Sequence, residues 1–408
     1  MSTFSVPLTT IREILPHGNA DKLELAKVYD WTVVVHKGEY LPGESILYVP
    51  VDSLLPWDLE QRIFPPESKI KLHKSRIRSI RIRGVMSQGM ILSIEDVSDI
   101  LGLDTVRRMG MYEQNEDYST HLGITKYEPL EASMPKHMQA KKKRATNPNF
   151  KKYSDIENFK YYDRCFEDGE TVYVSEKLHG TSFRCGWFKN TPNTLWKKLL
   201  NFFGWLPEWE FCWGSRNVQI QNKLYHTGYY DVDVYTKIVK QYDLKNIIPK
   251  GYAIFGEIVG DGIQKGYTYG CGPGEHELYV YDVMKDEKYL DYDVTEDTVF
   301  KLELPVYDAI QYVSNGTPAY DPYADTFVAL TLRMGLPVVP RLYTGAYRRE
   351  LVDEMRWGDS LIGEQPVREG VVIRSVQEKS TSSLGRKIVK YINDLYYLKN
   401  EESGTDFH

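Results

Sequence analysis

Over residues 1–125 the hydrophobic positions come in short runs that alternate with polar ones. Trp31-Thr32-Val33-Val34-Val35 and Ser45-Ile46-Leu47-Tyr48-Val49-Pro50-Val51 are rich in β-branched residues, and residues 78–83 repeat with period two. Such runs predict half-buried strands. Turn signals separate them at Lys37-Gly38-Glu39, Pro42-Gly43-Glu44 and Arg83-Gly84. Several short strands with few helical patterns predict a small barrel of the OB type. One short helix is expected over 93–101, because Ser93-Ile94-Glu95-Asp96 has capping-box spacing and Gly102 would end it.

Beyond Tyr153 the pattern mixes helix and strand, with strands predicted at 172–174, 253–255, 278–283, 370–374 and 387–392. Between the two regions lies a polar, basic stretch, 126–152, carrying Lys141, Lys142, Lys143 and Arg144. It reads as a linker or a surface arm, and its cations suit a phosphate backbone as well as plain solvation. The expected organisation is therefore a barrel over 1–125, a basic linker over 126–152, a second domain over 153–400 and a tail over 401–408. Five of the eight tryptophans fall between Trp187 and Trp213, around Leu195-Trp196-Lys197-Lys198-Leu199-Leu200-Asn201-Phe202-Phe203-Gly204-Trp205. An amphipathic helix there would touch a partner or a membrane surface; packing back on its own domain is the reading preferred from composition.

Composition changes this picture little. The net charge of −6 argues against strong non-specific nucleic-acid binding, so any such binding must come from local patches. The 31 tyrosines suit nucleotide surfaces and β-rich cores alike. Cys165, Cys185, Cys212 and Cys271 form no Cys-x-x-Cys pair, which points away from a zinc site or a disulfide framework. The first residues lack a signal-peptide pattern, and no apolar run reaches the ~18 residues of a membrane span. The expectation is a soluble protein of the cytoplasm, monomeric and without a membrane partner.

Candidate chemistry centres on Ser175-Glu176-Lys177-Leu178-His179-Gly180-Thr181-Ser182, directly after a predicted strand. A lysine attacks phosphorus only as the neutral amine, which burial or neighbouring positive charge favours. A glycine three residues on lets the backbone approach a nucleotide. Alone the pattern is weak, since about one lysine in fourteen has such a glycine by chance. Its company gives it weight. Phe255-Gly256-Glu257 ends a strand and puts a carboxylate beside glycines, where it can receive a ribose hydroxyl or a metal. Leu278-Tyr279-Val280-Tyr281-Asp282-Val283 offers an aromatic for a base. Glu369-Gly370-Val371-Val372-Ile373-Arg374 adds a second carboxylate, and Arg386-Lys387-Ile388-Val389-Lys390 adds cations that can neutralise a phosphate in transfer. No Gly-x-x-x-x-Gly-Lys-Ser/Thr loop is present, which argues against a P-loop ATPase.

In this order the fragments resemble the motifs of the covalent nucleotidyltransferases: DNA ligases, RNA ligases and capping enzymes. Glu-Lys-x-His-Gly-Thr is similar to the RNA-ligase form of the nucleophile motif, and 152–158 and 262–265 resemble further segments of the phage RNA ligase 2 type. Residues 19–25 and 81–89 resemble the OB module that precedes the catalytic domain in the RNA ligase 5 branch. The resemblance implies an α+β protein, an OB-type β-barrel followed by a mixed α/β nucleotidyltransferase domain of the ATP-grasp-like ligase kind. It implies an ATP-dependent RNA ligase using Mg²⁺ or Mn²⁺ and joining 3′-hydroxyl to 5′-phosphate ends at nicks in duplexes. A DNA ligase or capping-type enzyme, and a non-catalytic binder of RNA ends, are the alternatives.

Carried over residue by residue, the resemblance implies that Lys177 takes AMP and that His179 assists. Glu176, Gly180 and Arg216 would contact the nucleotide, and Arg216 later the RNA phosphate. Glu257 would hold the ribose and a metal, Tyr281 would stack on adenine, Glu369 would help place the metal, and Lys390 would bind the α-phosphate. The final motif usually has Lys-x-Lys. Here Ile388 and Ile392 flank Lys390; Lys387 is the candidate for the missing cation, but alternation puts it on the other strand face, which leaves the second lysine's role unassigned. Ser182, expected to contact the RNA, stands where the phage type often has Asn. Residues 69–83 interleave cations with apolar residues; on a strand this would give a basic stripe of Lys71, Lys74, Arg76, Arg78, Arg81 and Arg83 for nucleic acid, or a charged edge that blocks aggregation.

Overall fold

The computed structural model describes residues 4–68, 71–102, 115–127, 146–220, 233–292, 326–363, 365, 367–382 and 384–397. The chain divides into two units, one of residues 1–131, 158–163 and 397–408, the other of 132–157 and 164–396.

The first unit is built from short antiparallel strands. Leu8–Thr10, Ser45–Val49 and Met90–Ser93 form one sheet, and Glu13–Pro16, Leu23–Val28 and Trp31–His36 another. The alternation in Trp31–His36 does what period two requires: Trp31, Val33 and Val35 are buried and the residues between them are not. The strand Ser45–Val49 is apolar on both sides because Leu47 and Val49 enter one core cluster while Ile46 and Tyr48 enter another. The capping expectation at Ser93 is met, with Asp96 N–H donating to Ser93 Oγ at 3.1 Å. The helix is split, a 3₁₀ turn Glu95–Val97 followed by Ser98–Leu101, and Gly102 ends it at φ 79°.

In the second unit, strands Ile388–Ile392, Gly370–Ser375, Thr171–Lys177 and Arg341–Ala346 lie side by side in that order, all antiparallel. A six-stranded antiparallel sheet runs Gln219–Ile220, Trp209–Ser215, Thr181–Lys189, Tyr252–Gly260, His276–Lys285, Lys288–Tyr289. Phe183, Ile254, Ile258, Val280 and Val283 of this sheet share a core with Tyr173 and with the helices Val234–Gln241 and Phe327–Met334. Residues 146–152, expected to close a linker, belong to this unit: Phe150 is buried, and the Arg184 guanidinium lies over its ring at 3.8 Å. The run of Lys141 to Arg144 lies outside the described residues.

The two ends of the tryptophan-rich segment pack on their own unit as composition suggested, with Trp187 and Trp213 against its core, but the helix between them does not. Helix Leu195–Phe202 holds its polar side to the protein, with Lys197 Nζ donating to Asn190 Oδ1 at 2.7 Å and Glu210 Oε2 at 2.8 Å. Its apolar side faces solvent, Trp196 at 67% and Phe202 at 81% exposure. No helix among the described residues is long and apolar enough to cross a membrane.

Phe183 is fully buried in the second unit's core. Phe183→Ala should therefore cost ~3–5 kcal/mol of that unit's stability; a urea melt with the same midpoint as the wild type would contradict this packing.

Candidate active site

Strand register creates the site. Lys177 ends Thr171–Lys177 and pairs with Gly370, so the preceding residue, Glu369, arrives beside the lysine from 192 positions away. Lys177 Nζ donates to Glu369 Oε1 at 2.6 Å. The other carboxylate oxygen, Oε2, is buried without a hydrogen-bond partner among the described residues, and His179 Nδ1 stands 4.0 Å from it. Burial pushes the Glu369 carboxyl above its ordinary value, and Lys177 and Lys390 partly oppose that shift. Lys390 reaches the same neighbourhood from Ile388–Ile392, where it pairs with Val372.

The turn after Lys177 is crowded. A Cβ on Gly180 would lie 2.3 Å from the Ile258 carbonyl oxygen and 2.8 Å from Glu257 Cγ, so only glycine fits against strand Tyr252–Gly260. Gln264 Nε2 donates to the Gly180 carbonyl at 2.9 Å, and His179 N–H donates to Tyr269 Oη at 2.7 Å. Tyr267 and Tyr396 meet the His179 ring edge to face, at 5.1 and 5.3 Å between centroids. Two rings thus hold the imidazole, and Tyr269 holds the backbone that carries it.

Glu257 sits across from Ser182 in the register. Burial pushes its carboxyl up to about 8; Glu369 adds to the shift, while Lys177, the Gly180 N–H and Arg216 oppose it. Two carboxyls and one amine thus share a small desolvated volume. Tyr281 Oη lies 3.5 Å from Ser182 Oγ, and burial together with the nearby Glu257 raises its phenol. Arg216, just past strand Trp209–Ser215, pairs with Asp155 and stays close enough to Glu257 and Tyr281 to act on both electrostatically.

Lys177, His179, Gly180, Ser182, Arg216, Glu257, Tyr281, Glu369 and Lys390 are therefore neighbours. Two expected residues are not. Lys387 turns to the other side of its sheet, where Nζ donates to Glu170 Oε2 at 2.6 Å and lies 5.2 Å from the Phe166 ring centroid. The second lysine of the usual final motif has no substitute there. Glu176 is next to Lys177 in sequence but opposite it on the strand; its Oε2 accepts the Leu361 N–H at 2.9 Å.

The basic stretch of the first unit also departs from expectation. It is not one strand: a 3₁₀ turn spans His73–Ser75, and among the described residues of the stretch only Ile80–Ile82 is strand, in a hairpin with Val85–Ser87 turned by Arg83 and Gly84 at positive φ. Arg76 is a buried structural cation, paired with Asp52 at 2.7 Å and lying 3.9 Å over the Tyr127 ring. Lys71, Lys74, Arg81 and Arg83 are exposed and Arg78 is half-buried. Lys69 lies outside the described residues.

Sequence reasoning missed Tyr269, Gln264, Tyr267, Tyr396 and Asp155. The first two act on backbone atoms of the Lys177 turn from 90 and 84 positions away, and no local pattern marks such a contact.

Comparison with known proteins agrees with this arrangement. An RNA ligase family model matches residues 170–392, and an OB-fold domain model matches residues 6–94. No curated protein matches the chain. Among solved structures, the Naegleria gruberi RNA ligase with PPi is 20% identical at TM-score 0.65, covering 98% of this chain and 100% of that one. A point mutant of the same ligase with ATP and Mn is 20% identical at TM-score 0.64, covering 98% and 100%.

Two outcomes are expected. Gly180→Ala should cost ~1–3 kcal/mol through overpacking against strand Tyr252–Gly260; an unchanged melt would contradict the crowding. Glu257 holds its proton in the folded state up to about pH 8, whereas the unfolded chain releases it near 4.5. The folded state binds more protons in that window, so stability from this group falls as pH rises through it and levels off above. Melting temperatures of the wild type should therefore drop relative to Glu257→Gln between those pH values; parallel curves would contradict the shift.

Proposed function

This chain belongs to the RNA ligase family, and we propose that it is an ATP-dependent ligase that joins 3′-hydroxyl and 5′-phosphate RNA ends with AMP carried on Lys177. The observation that carries the reading is the Lys177 amine against the Glu369 carboxylate, with Glu257, His179 and Lys390 in the same pocket. The solved Naegleria gruberi relatives with ATP, AMP and Mn support the choice of nucleotide and metal.

The first step is attack of Lys177 Nζ on the α-phosphorus of ATP. A P–N bond forms, the bond to the β-phosphate oxygen breaks, pyrophosphate leaves, and the amine loses a proton. Glu369 Oε1 is the nearest acceptor for that proton. Lys390 approaches the pocket as a cation for the α-phosphate, where charge builds in an in-line displacement. Glu257 receives the ribose hydroxyls, Tyr281 lies flat on the base, and Arg216 contacts the nucleotide phosphate before the RNA phosphate. His179, held by Tyr267, Tyr269 and Tyr396, steadies the turn that carries the nucleophile.

The unpaired Glu369 Oε2 and the neighbouring Glu257 fit a divalent ion, Mg²⁺ or Mn²⁺. Bound there, the ion would screen the triphosphate charge. Among the described residues no three His, Cys, Asp or Glu side chains are arranged to hold a metal ion, so phosphate oxygens and water would complete its shell.

In the second step an oxygen of the RNA 5′-phosphate attacks the lysine-bound phosphorus, the P–N bond breaks and Lys177 regains a proton. In the third, the RNA 3′-hydroxyl attacks the 5′-phosphorus and AMP leaves. Ser182, beside Tyr281, faces the end being sealed. Lys71, Lys74, Arg78, Arg81 and Arg83 of the OB unit supply cations for a phosphate backbone; the resemblance to the RNA ligase 5 branch favours a nick in a duplex over a free end.

Separating the steps tests this sequence. Lys177→Ala should seal no nicked RNA bearing a 5′-phosphate, yet should retain sealing of the same nick with a pre-adenylylated 5′ end. Sealing of the phosphate end by the variant would overturn the covalent step, and a preference for an all-DNA nick would overturn the RNA assignment. Glu369→Ala should lower sealing by roughly a hundredfold or more, the scale of losing one electrostatic partner of the transferring group, without unfolding the protein; unchanged sealing would contradict its role.

A further inference from the structure

Strand His276–Lys285 carries a β-bulge. Phe255 pairs with Asp282 and Gly256 with Val280, so Tyr281 is the extra residue with no partner across the ladder. A bulge breaks the period-two alternation, and here two successive side chains turn to one side. The Tyr281 ring meets Tyr153 at 5.0 Å between centroids, and Asp282 Oδ2 accepts from the hydroxyl of that same Tyr153 at 2.8 Å.

Asp282 is fully buried, a costly place for a carboxylate unless it is paired. It is paired twice. Arg386 Nη2 donates to Oδ2 at 2.8 Å, and Arg374 Nη1 lies 3.2 Å from the same oxygen. Glu378 closes the group: it accepts from Arg386 through both carboxylate oxygens, at 2.6 and 2.8 Å, and from Arg374 at 3.1 Å. Two carboxylates thus balance two guanidiniums. Arg374 belongs to Gly370–Ser375, the strand that begins after Glu369, and Arg386 lies four positions before Lys390. The Arg386 guanidinium also lies 3.4 Å over the Tyr289 ring, which meets Tyr153 at 5.6 Å.

We propose that Asp282 is a positioning residue: through Tyr153 and the Arg374–Arg386 pair it locks the bulge and fixes the Tyr281 ring at the distance from Lys177 that the base of the nucleotide requires. The inference rests on the reading that Tyr281 stacks on the base. Asp282 touches neither nucleotide nor RNA. It ties the strand carrying the base platform to the strands carrying Glu369 and Lys390, so the base end and the phosphate end of one ligand are held by a single charged knot. A residue that only stabilised the fold would weaken every ligand alike. A residue that acts through Tyr281 weakens only ligands that have a base.

The test is equilibrium binding of AMP and of inorganic pyrophosphate to the full chain, with melting curves alongside. Asp282→Asn should lower AMP affinity by about tenfold, the scale of one base–aromatic stack, and leave pyrophosphate affinity unchanged. In a Tyr281→Ala background the same substitution should change AMP affinity by less than about twofold, because its target is already gone. Tyr153→Phe removes only the hydroxyl that Asp282 accepts, so it carries the test if Asp282→Asn does not fold. It should weaken AMP in the same direction and spare pyrophosphate. Equal losses for both ligands, or an Asp282→Asn effect undiminished without Tyr281, would overturn the inference. Loss of AMP affinity in Tyr281→Ala with none in Asp282→Asn or Tyr153→Phe would overturn it alone. Unchanged AMP affinity in Tyr281→Ala would overturn the stacking role, and the inference with it.

Discussion

A lysine amine and two carboxyls confined in one poorly solvated volume define this protein's second unit. Lys177 touches Glu369, and Glu257 is close enough to feel both. Such a grouping opposes its own desolvation; it persists because three strands deliver the groups by register. Low solvation strengthens every electrostatic interaction among these groups. The buried Oε2 of Glu369 has no hydrogen-bond partner among the described residues, and burial raises the Glu257 carboxyl beside it.

The fold explains how residues spread over more than two hundred positions meet. The pairing of Lys177 with Gly370 and of Ser182 with Glu257 sets two edges of the pocket. The bulge at Tyr281 sets a third, where the side chains of Tyr281 and Asp282 both reach Tyr153. Gly180 lets the turn between them pass within contact of strand Tyr252–Gly260. Chemistry here depends on where strands end, so a shift of one residue in pairing would carry each functional group to the wrong face.

Much of this was legible from residue order. Period-two alternation identified Trp31–His36, β-branched content between turns identified Ser45–Val49, and the ordered fragments around Lys177, Glu257, Tyr281, Glu369 and Lys390 marked residues that the structure brings together. Strands Thr181–Lys189 and Trp209–Ser215 were not legible, because both their faces are covered. Phe183 and Cys185 enter one core, while Arg184 is buried on the other side under Phe150, so polar and apolar residues do not alternate. Arg76 looked like part of a basic stripe because its partner Asp52 is distant in sequence. The exposure of Trp196 and Phe202 was hidden for a related reason: composition reveals an apolar helix side but not which way it points.

Lys177 as the residue that carries the nucleotide is the claim on which the rest stands. Its most direct test is intact mass of the full chain after incubation with ATP and a divalent metal, followed by fragmentation to locate the adduct. The account predicts a gain of one AMP, located on Lys177 and absent from Lys177→Ala. An adduct on another residue, or no adduct in protein that seals RNA, would contradict it.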